Sequence, residues 1–179
     1  MYLSREKYKK LLGQMESGNE NFPDGNYNAT NAIGALGMYQ FMPTTLNSLK
    51  RIYNLPAWNN DNYFLSHPEL QEVYMNALFE DSVNFIRSNN LSAYSGKVVT
   101  GSKRFKSITT PINEYGMLAA IHLSGSSDLK RFLLTGYDDN DKYTSLTDYL
   151  VYFSSKLSSI VNPAIILLAF IPALVLYYT

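Results

Sequence analysis

Apolar residues recur at helical spacing through most of the chain. Tyr8, Leu11, Leu12 and Met15 fall at i, i+3, i+4 and i+7, which predicts a helix over 5–15 with Ser4 as its cap. Gly18 follows as its stop. Residues 19–37 are rich in Asn and Gly and predict a long loop. Pro43 opens a second helix with Leu46, Leu49 and Tyr53 on one face. A turn region over 54–62 follows. Ser66 and Glu69 have capping-box spacing around Pro68, which predicts a long helix with Leu70, Val73, Tyr74, Ala77, Leu78 and Phe85 inward. Further helices are predicted near 113–123, with Leu118, Ala119, Ile121 and His122, and near 128–134. A last one starts at Ser145 and Asp148 and runs through Lys156. No repeat and no alternation of strands with helices is present. The pattern predicts an all-α domain.

Two segments depart from it. Residues 82–113 hold no Asp or Glu, and Lys97, Lys103, Arg104 and Lys106 lie among Gly, Ser and Thr there. That composition suits an irregular loop or a short hairpin, either a solvated excursion or a contact surface for an anionic polymer or membrane. The last charge is Lys156, and 160–178 reads IVNPAIILLAFIPALVLYY. As a helix this stretch would span roughly 28 Å, close to a bilayer core of about 30 Å. Tyr177 and Tyr178 stand where an interfacial aromatic belt would stand. No polar stripe runs along it, as a packed soluble helix would need. The expected organisation is therefore a domain over 1–155 and a transmembrane helix over 156–179.

The chain has 179 residues, enough for a real core, and a formal net charge of zero. Nothing in that balance draws it to nucleic acid. With no cysteine, thiol nucleophiles, thiolate metal sites and disulfides are excluded, and His67 and His122 alone are too few for most histidine-based metal sites. Tyrosine is frequent, at 15 residues, which suits a sugar-handling surface as well as an ordinary interface.

Three stretches carry candidate chemistry. They are Glu16-Ser17-Gly18 at a helix end, 34–43 (GALGMYQFMP) at a loop-to-helix junction, and 119–125 (AAIHLSG) at another helix end. Each alone is ordinary: a surface carboxylate, a turn, close helix packing. In order and together they resemble the motifs of the lysozyme-like lytic transglycosylases. Glu16, Ser17 and Gly18 match the Glu-Ser-Gly motif. Gly37, Gln40, Met42 and Pro43 match Gly-x-x-Gln-x-Met-Pro. Ala120, His122 and Gly125 fall in register with the looser third motif, with His122 where the family usually has Tyr. The stretch 143–149 (YTSLTDY) is similar to one in phage-associated members. The likeness covers about 8–153, and the spacing from Glu16 to Gln40 is several residues longer than usual.

The resemblance implies a lysozyme-like helical fold and cleavage of peptidoglycan glycan strands, with Glu16 as the catalytic carboxylate. Breaking a glycosidic bond requires a proton at the leaving oxygen, and an apolar surround favours the neutral acid that delivers it. Lysozyme-type hydrolysis would want a second carboxylate across the bond. Glu20, Asp24 and Asp61 are the nearest candidates, and none belongs to a matched motif. The family instead uses one Glu as acid and then base, and the sugar's own 6-hydroxyl closes to a 1,6-anhydro product. Substrate-binding roles are expected for Ser17, Tyr39, Gln40 and His122: Tyr39 as a hydrogen bond to Glu16 or the sugar, Gln40 as an amide contact to an N-acetyl group. Core packing is the competing role for Tyr39, as capping or packing is for His122. Ser17 lacks a base partner, so a serine-nucleophile route is not expected. No metal or organic cofactor is implied.

The first fifteen residues hold charges and no apolar h-region, so no signal peptide is predicted. A tail anchor without one fits a bacteriophage virion membrane that meets the wall from outside, with other virion proteins as candidate partners; a bacterial envelope membrane is the alternative. Two rival functions remain: a non-catalytic virion protein that binds peptidoglycan, and a holin-like membrane-lytic protein that acts through the tail.

Overall fold

The computed structural model describes residues 4–138 and 144–157. Among them helix dominates, with one small hairpin. The order is α1 (Arg5–Ser17), α2 (Pro43–Tyr53), α3 (Asp61–Leu65), α4 (Pro68–Ser88), a 3-10 turn (Leu91–Tyr94), β1 (Val98–Thr100), β2 (Thr109–Pro111), α5 (Glu114–Ser124), α6 (Ser126–Thr135) and α7 (Leu146–Lys156). The tail over 158–179, where the transmembrane helix is expected, lies outside the described residues. No helix among the described residues is long and apolar enough to cross a membrane.

Helix α5 is the centre. Every residue from Glu114 to Ile121 is buried, as expected of a helix that is apolar on all sides. Met117 and Leu118 are almost fully enclosed, and burying each such side chain contributes about 1.5–3 kcal/mol. Helices α4, α6 and α7 pack on it, and α1 lies on α4. Gly116 sets how closely α5 meets α7. A Cβ there would lie 2.4 Å from the Leu150 carbonyl oxygen and 2.3 Å from Ser154 Oγ. Asn113 locks the same contact. Its Oδ1 accepts from the Gly116 amide, capping α5, and its Nδ2 donates to the Leu157 carbonyl at the far end of α7.

The caps explain the agreements and the misses. Ser145 and Asp148 form a reciprocal capping box at the start of α7, where the spacing places it. Ser66 and Glu69 form none. A short helix, α3, occupies part of the expected turn region, capped by the Asn60 side chain. Ser66 follows its end, and its hydroxyl donates to the Tyr63 carbonyl at 3.1 Å. His67 precedes α4 without a side-chain cap, and Pro68 opens that helix as expected. On α4 the inward face is set by Leu70, Tyr74, Met75, Phe79, Val83 and Ile86, while Val73 is exposed. Tyr53 is also exposed. The acid-free segment is a hairpin: β1 and β2 pair antiparallel, with Val99 opposite Thr110, and pack on α7.

Candidate active site

Glu16 stands in the last turn of α1, and its side chain is only 14% exposed. Two groups converge on its Oε1. The Tyr149 hydroxyl, from α7, donates at 2.6 Å. His122 Nε2, from α5, lies at 3.7 Å. Burial first, and then the Glu16 charge, push the Tyr149 phenol well above its usual range; the Arg104 charge works in the opposite direction. Tyr149 therefore remains a hydrogen-bond donor throughout the neutral range. Tyr8 is raised by burial and then by Glu16, and with Phe153 it completes an aromatic wall behind the carboxylate.

His122 is shared between Glu16 and a cleft. The cleft, of about 340 Å³, is lined by Gln40, Phe41, Met42, Asp81, His122 and Ser124 among others. The His122 ring meets Phe41 edge-on at 6.1 Å. Its Nδ1 is buried and has no hydrogen-bond partner among the described residues. A buried ring nitrogen left unpaired is costly.

Gln40 reaches the cleft through a tight turn. Leu36 and Phe41 exchange both backbone hydrogen bonds, at 2.9 and 2.8 Å, and close a loop over 37–40. Gly37 takes φ +75° and Gln40 takes φ 50°. A Cβ on Gly37 would lie 2.1 Å from Gln71 Oε1, so this position requires glycine twice over. The buried Gln71 holds the turn, accepting from the Met38 amide at 2.9 Å and donating to the Tyr27 and Phe64 carbonyls. The Gln40 side-chain nitrogen donates to the Gly37 carbonyl at 2.9 Å. Gln40 is thereby set in the cleft lining.

Ser17 and Tyr39 are placed elsewhere. The Ser17 hydroxyl donates to the Met38 carbonyl and accepts from the Asn26 amide, both at 2.8 Å. It ties the end of α1 to the loop that carries Gln40. Tyr39 is 1% exposed, and its hydroxyl donates to Glu72 at 2.6 Å rather than to Glu16. Glu72 also accepts from Tyr27 at 2.7 Å and from Lys9 Nζ at 2.7 Å. The turn at Gly37 aims Tyr39 inward, so the competing packing role is the one this geometry gives it. Tyr149 is the tyrosine that meets Glu16, and it lies in the stretch 143–149 whose likeness is to phage-associated members.

The second carboxylate also lies apart from the three nominated acids. Asp24 pairs with Lys10 at 3.3 Å on the surface. Asp61 sits in the first turn of α3, and Glu20 is exposed. The carboxylate lining the cleft is Asp81 of α4, which accepts from the Tyr53 hydroxyl. No family model, no characterised protein and no solved structure matches this chain.

Proposed function

We propose that this protein is a lysozyme-like peptidoglycan lytic transglycosylase that cleaves the MurNAc-GlcNAc bond with Glu16. One observation carries the reading: a nearly enclosed carboxylate that accepts the Tyr149 hydroxyl and lies 3.7 Å from His122, a residue that also lines the cleft with Gln40. The Tyr149 hydrogen bond fixes the position of that carboxylate in advance of any substrate.

Glu16 in its acid form gives its proton to the glycosidic oxygen. The bond from the MurNAc anomeric carbon to that oxygen breaks, and its electron pair stays on the departing GlcNAc. Positive charge develops at the anomeric carbon. The MurNAc 6-hydroxyl oxygen then attacks that carbon and closes the 1,6-anhydro ring, and its proton passes to Glu16. No water is consumed, and Glu16 returns to its starting form. Tyr149 steadies the carboxylate in the interval between the two transfers. His122 and Gln40, which line the cleft, are the side chains placed to meet the polar groups of the sugar.

Asp81 supports a second reading, lysozyme-type hydrolysis, because it supplies a carboxylate to the cleft. Product chemistry separates the two, since anhydro ends mean ring closure and reducing ends mean water. Glu16→Gln removes the transferable proton and keeps the side-chain volume; it is expected to abolish release of glycan fragments with the fold intact. Full release by that variant contradicts the assignment. We further propose that the apolar tail 156–179 holds the domain at a bacteriophage virion membrane, from which it reaches the cell wall during infection.

A further inference from the structure

Three cations of the acid-free segment, Lys103, Arg104 and Lys106, lie between β1 and β2 at the hairpin tip, and that tip is fixed to the start of α7. The buried Asp148 carboxylate accepts the backbone amides of Lys103, Arg104 and Phe105 at 3.0–3.1 Å and that of Ser145 at 3.3 Å. Its charge faces the backbone on the inner side. Arg104 and Lys106 are exposed and Lys103 is half-buried. None of the three pairs with a carboxylate among the described residues. Asp148 is followed in the chain by Tyr149, the residue that holds Glu16. At Tyr149 burial and the Glu16 charge raise the phenol, and the Arg104 charge opposes them. Phe105 stacks on Tyr152 of α7 at 4.5 Å and 19°, with the Arg104 guanidinium 5.3 Å from the Phe105 ring centre. The result is a firm aromatic base under a local excess of positive charge.

We infer that the hairpin tip is an anionic subsite in which Lys103, Arg104 and Lys106 take the carboxylates of the peptide stems on the strand whose glycosidic bond lies at Glu16. This rests on the glycan-cleaving reading and adds the substrate feature that a neutral glycan lacks. An anionic membrane surface is the competing partner for such a patch. The position of the tip favours the strand. It is pinned by Asp148 to the N-terminal end of α7, next to Tyr149, which holds Glu16. Clustered cations over a low-dielectric base raise the local concentration of an anionic substrate and orient it, at a strength that falls with ionic strength.

The test uses the full chain in detergent micelles, with Glu16→Gln to stop turnover, and measures co-sedimentation with insoluble peptidoglycan. Two preparations are compared, native and with stem carboxylates amidated. Two further proteins carry Lys103→Gln, Arg104→Gln and Lys106→Gln together, or the charge-keeping set Lys103→Arg, Arg104→Lys and Lys106→Arg. The parent and the charge-keeping protein are expected to bind native material about tenfold more tightly than amidated material, and the neutralised protein to lose that preference. Added salt should erase the preference of the parent without any substitution, which keeps the test valid should the neutralised protein fold poorly. Unchanged native binding by the folded neutralised protein overturns the proposal. So does a loss confined to vesicles of equal parts phosphatidylglycerol and phosphatidylcholine, which would assign the tip to lipid. Fragment release by the Glu16 protein is scored separately. A failure of the cleavage reading then shows as absent fragments, and a failure of the subsite shows as absent charge preference.

Discussion

Tyr149 is the residue whose removal distinguishes positioning from packing. Its ring belongs to the wall with Phe153 and Tyr8, and its hydroxyl belongs to Glu16. Tyr149→Phe keeps the first and deletes the second. The expected result is a fall in kcat of about 10–100-fold with KM little changed, and a thermal midpoint close to the parent. An unchanged kcat would mean that the hydroxyl does nothing for Glu16. Asp81→Asn is the companion experiment. The account expects a loss of less than about tenfold and the same anhydro products, since the reaction needs one carboxylate. The sequence made Glu16, Gln40 and His122 legible because each lies in a local motif. It misassigned the tyrosine because Tyr39 is Gln40's neighbour in the chain, while Tyr149 is 133 residues from Glu16. Only the turn at Gly37 and the acceptor at Glu72 decide which phenol faces the carboxylate.

At the scale of elements, the site depends on two glycines. Gly37→Ala forces a side chain into both a left-handed backbone and the Gln71 amide; a loss of about 2–3 kcal/mol in unfolding free energy is expected, with displaced Gln40 and weaker substrate binding. Denaturant titration checks the first effect and sedimentation with peptidoglycan the second. Gly116→Ala pushes against the Leu150 carbonyl and costs about 1–3 kcal/mol by prying α5, with its His122, from α7, with its Tyr149. Helix positions were readable from apolar spacing and from Ser, Asn and Pro at helix starts. Helix α3 was not, because five residues are too few to show a period. The Ser66 misreading follows directly, since a serine between two adjacent helices can end one or start the other.

For the whole molecule, acid stability follows from two carboxylates that fasten loops to the helical body. At Glu72 burial raises the carboxyl, but hydrogen bonds from Lys9, Tyr39 and Tyr27 outweigh it and hold the group below its usual range. At Asp148 burial is likewise outweighed by the amides of Lys103, Phe105 and Arg104. A carboxyl depressed in the folded state stabilises the fold above its unfolded value, near pH 4, and that contribution is lost as pH falls through the folded value. The thermal midpoint should be nearly flat from about pH 7 to about pH 5 and drop below about pH 4. Glu72→Gln and Asp148→Asn should each lower the midpoint at neutral pH and blunt the acid drop. A midpoint unchanged on acidification would contradict the assignment of these two groups.

The central claim is the single carboxylate at the end of α1, and digestion of purified peptidoglycan by the full chain tests it most directly. Mass analysis of the soluble products should show glycan fragments that end in 1,6-anhydro sugars, each lighter by one water than a reducing-end fragment, and Glu16→Gln should release none. Reducing ends would replace ring closure by hydrolysis, and fragments released equally by both proteins would remove Glu16 from the chemistry.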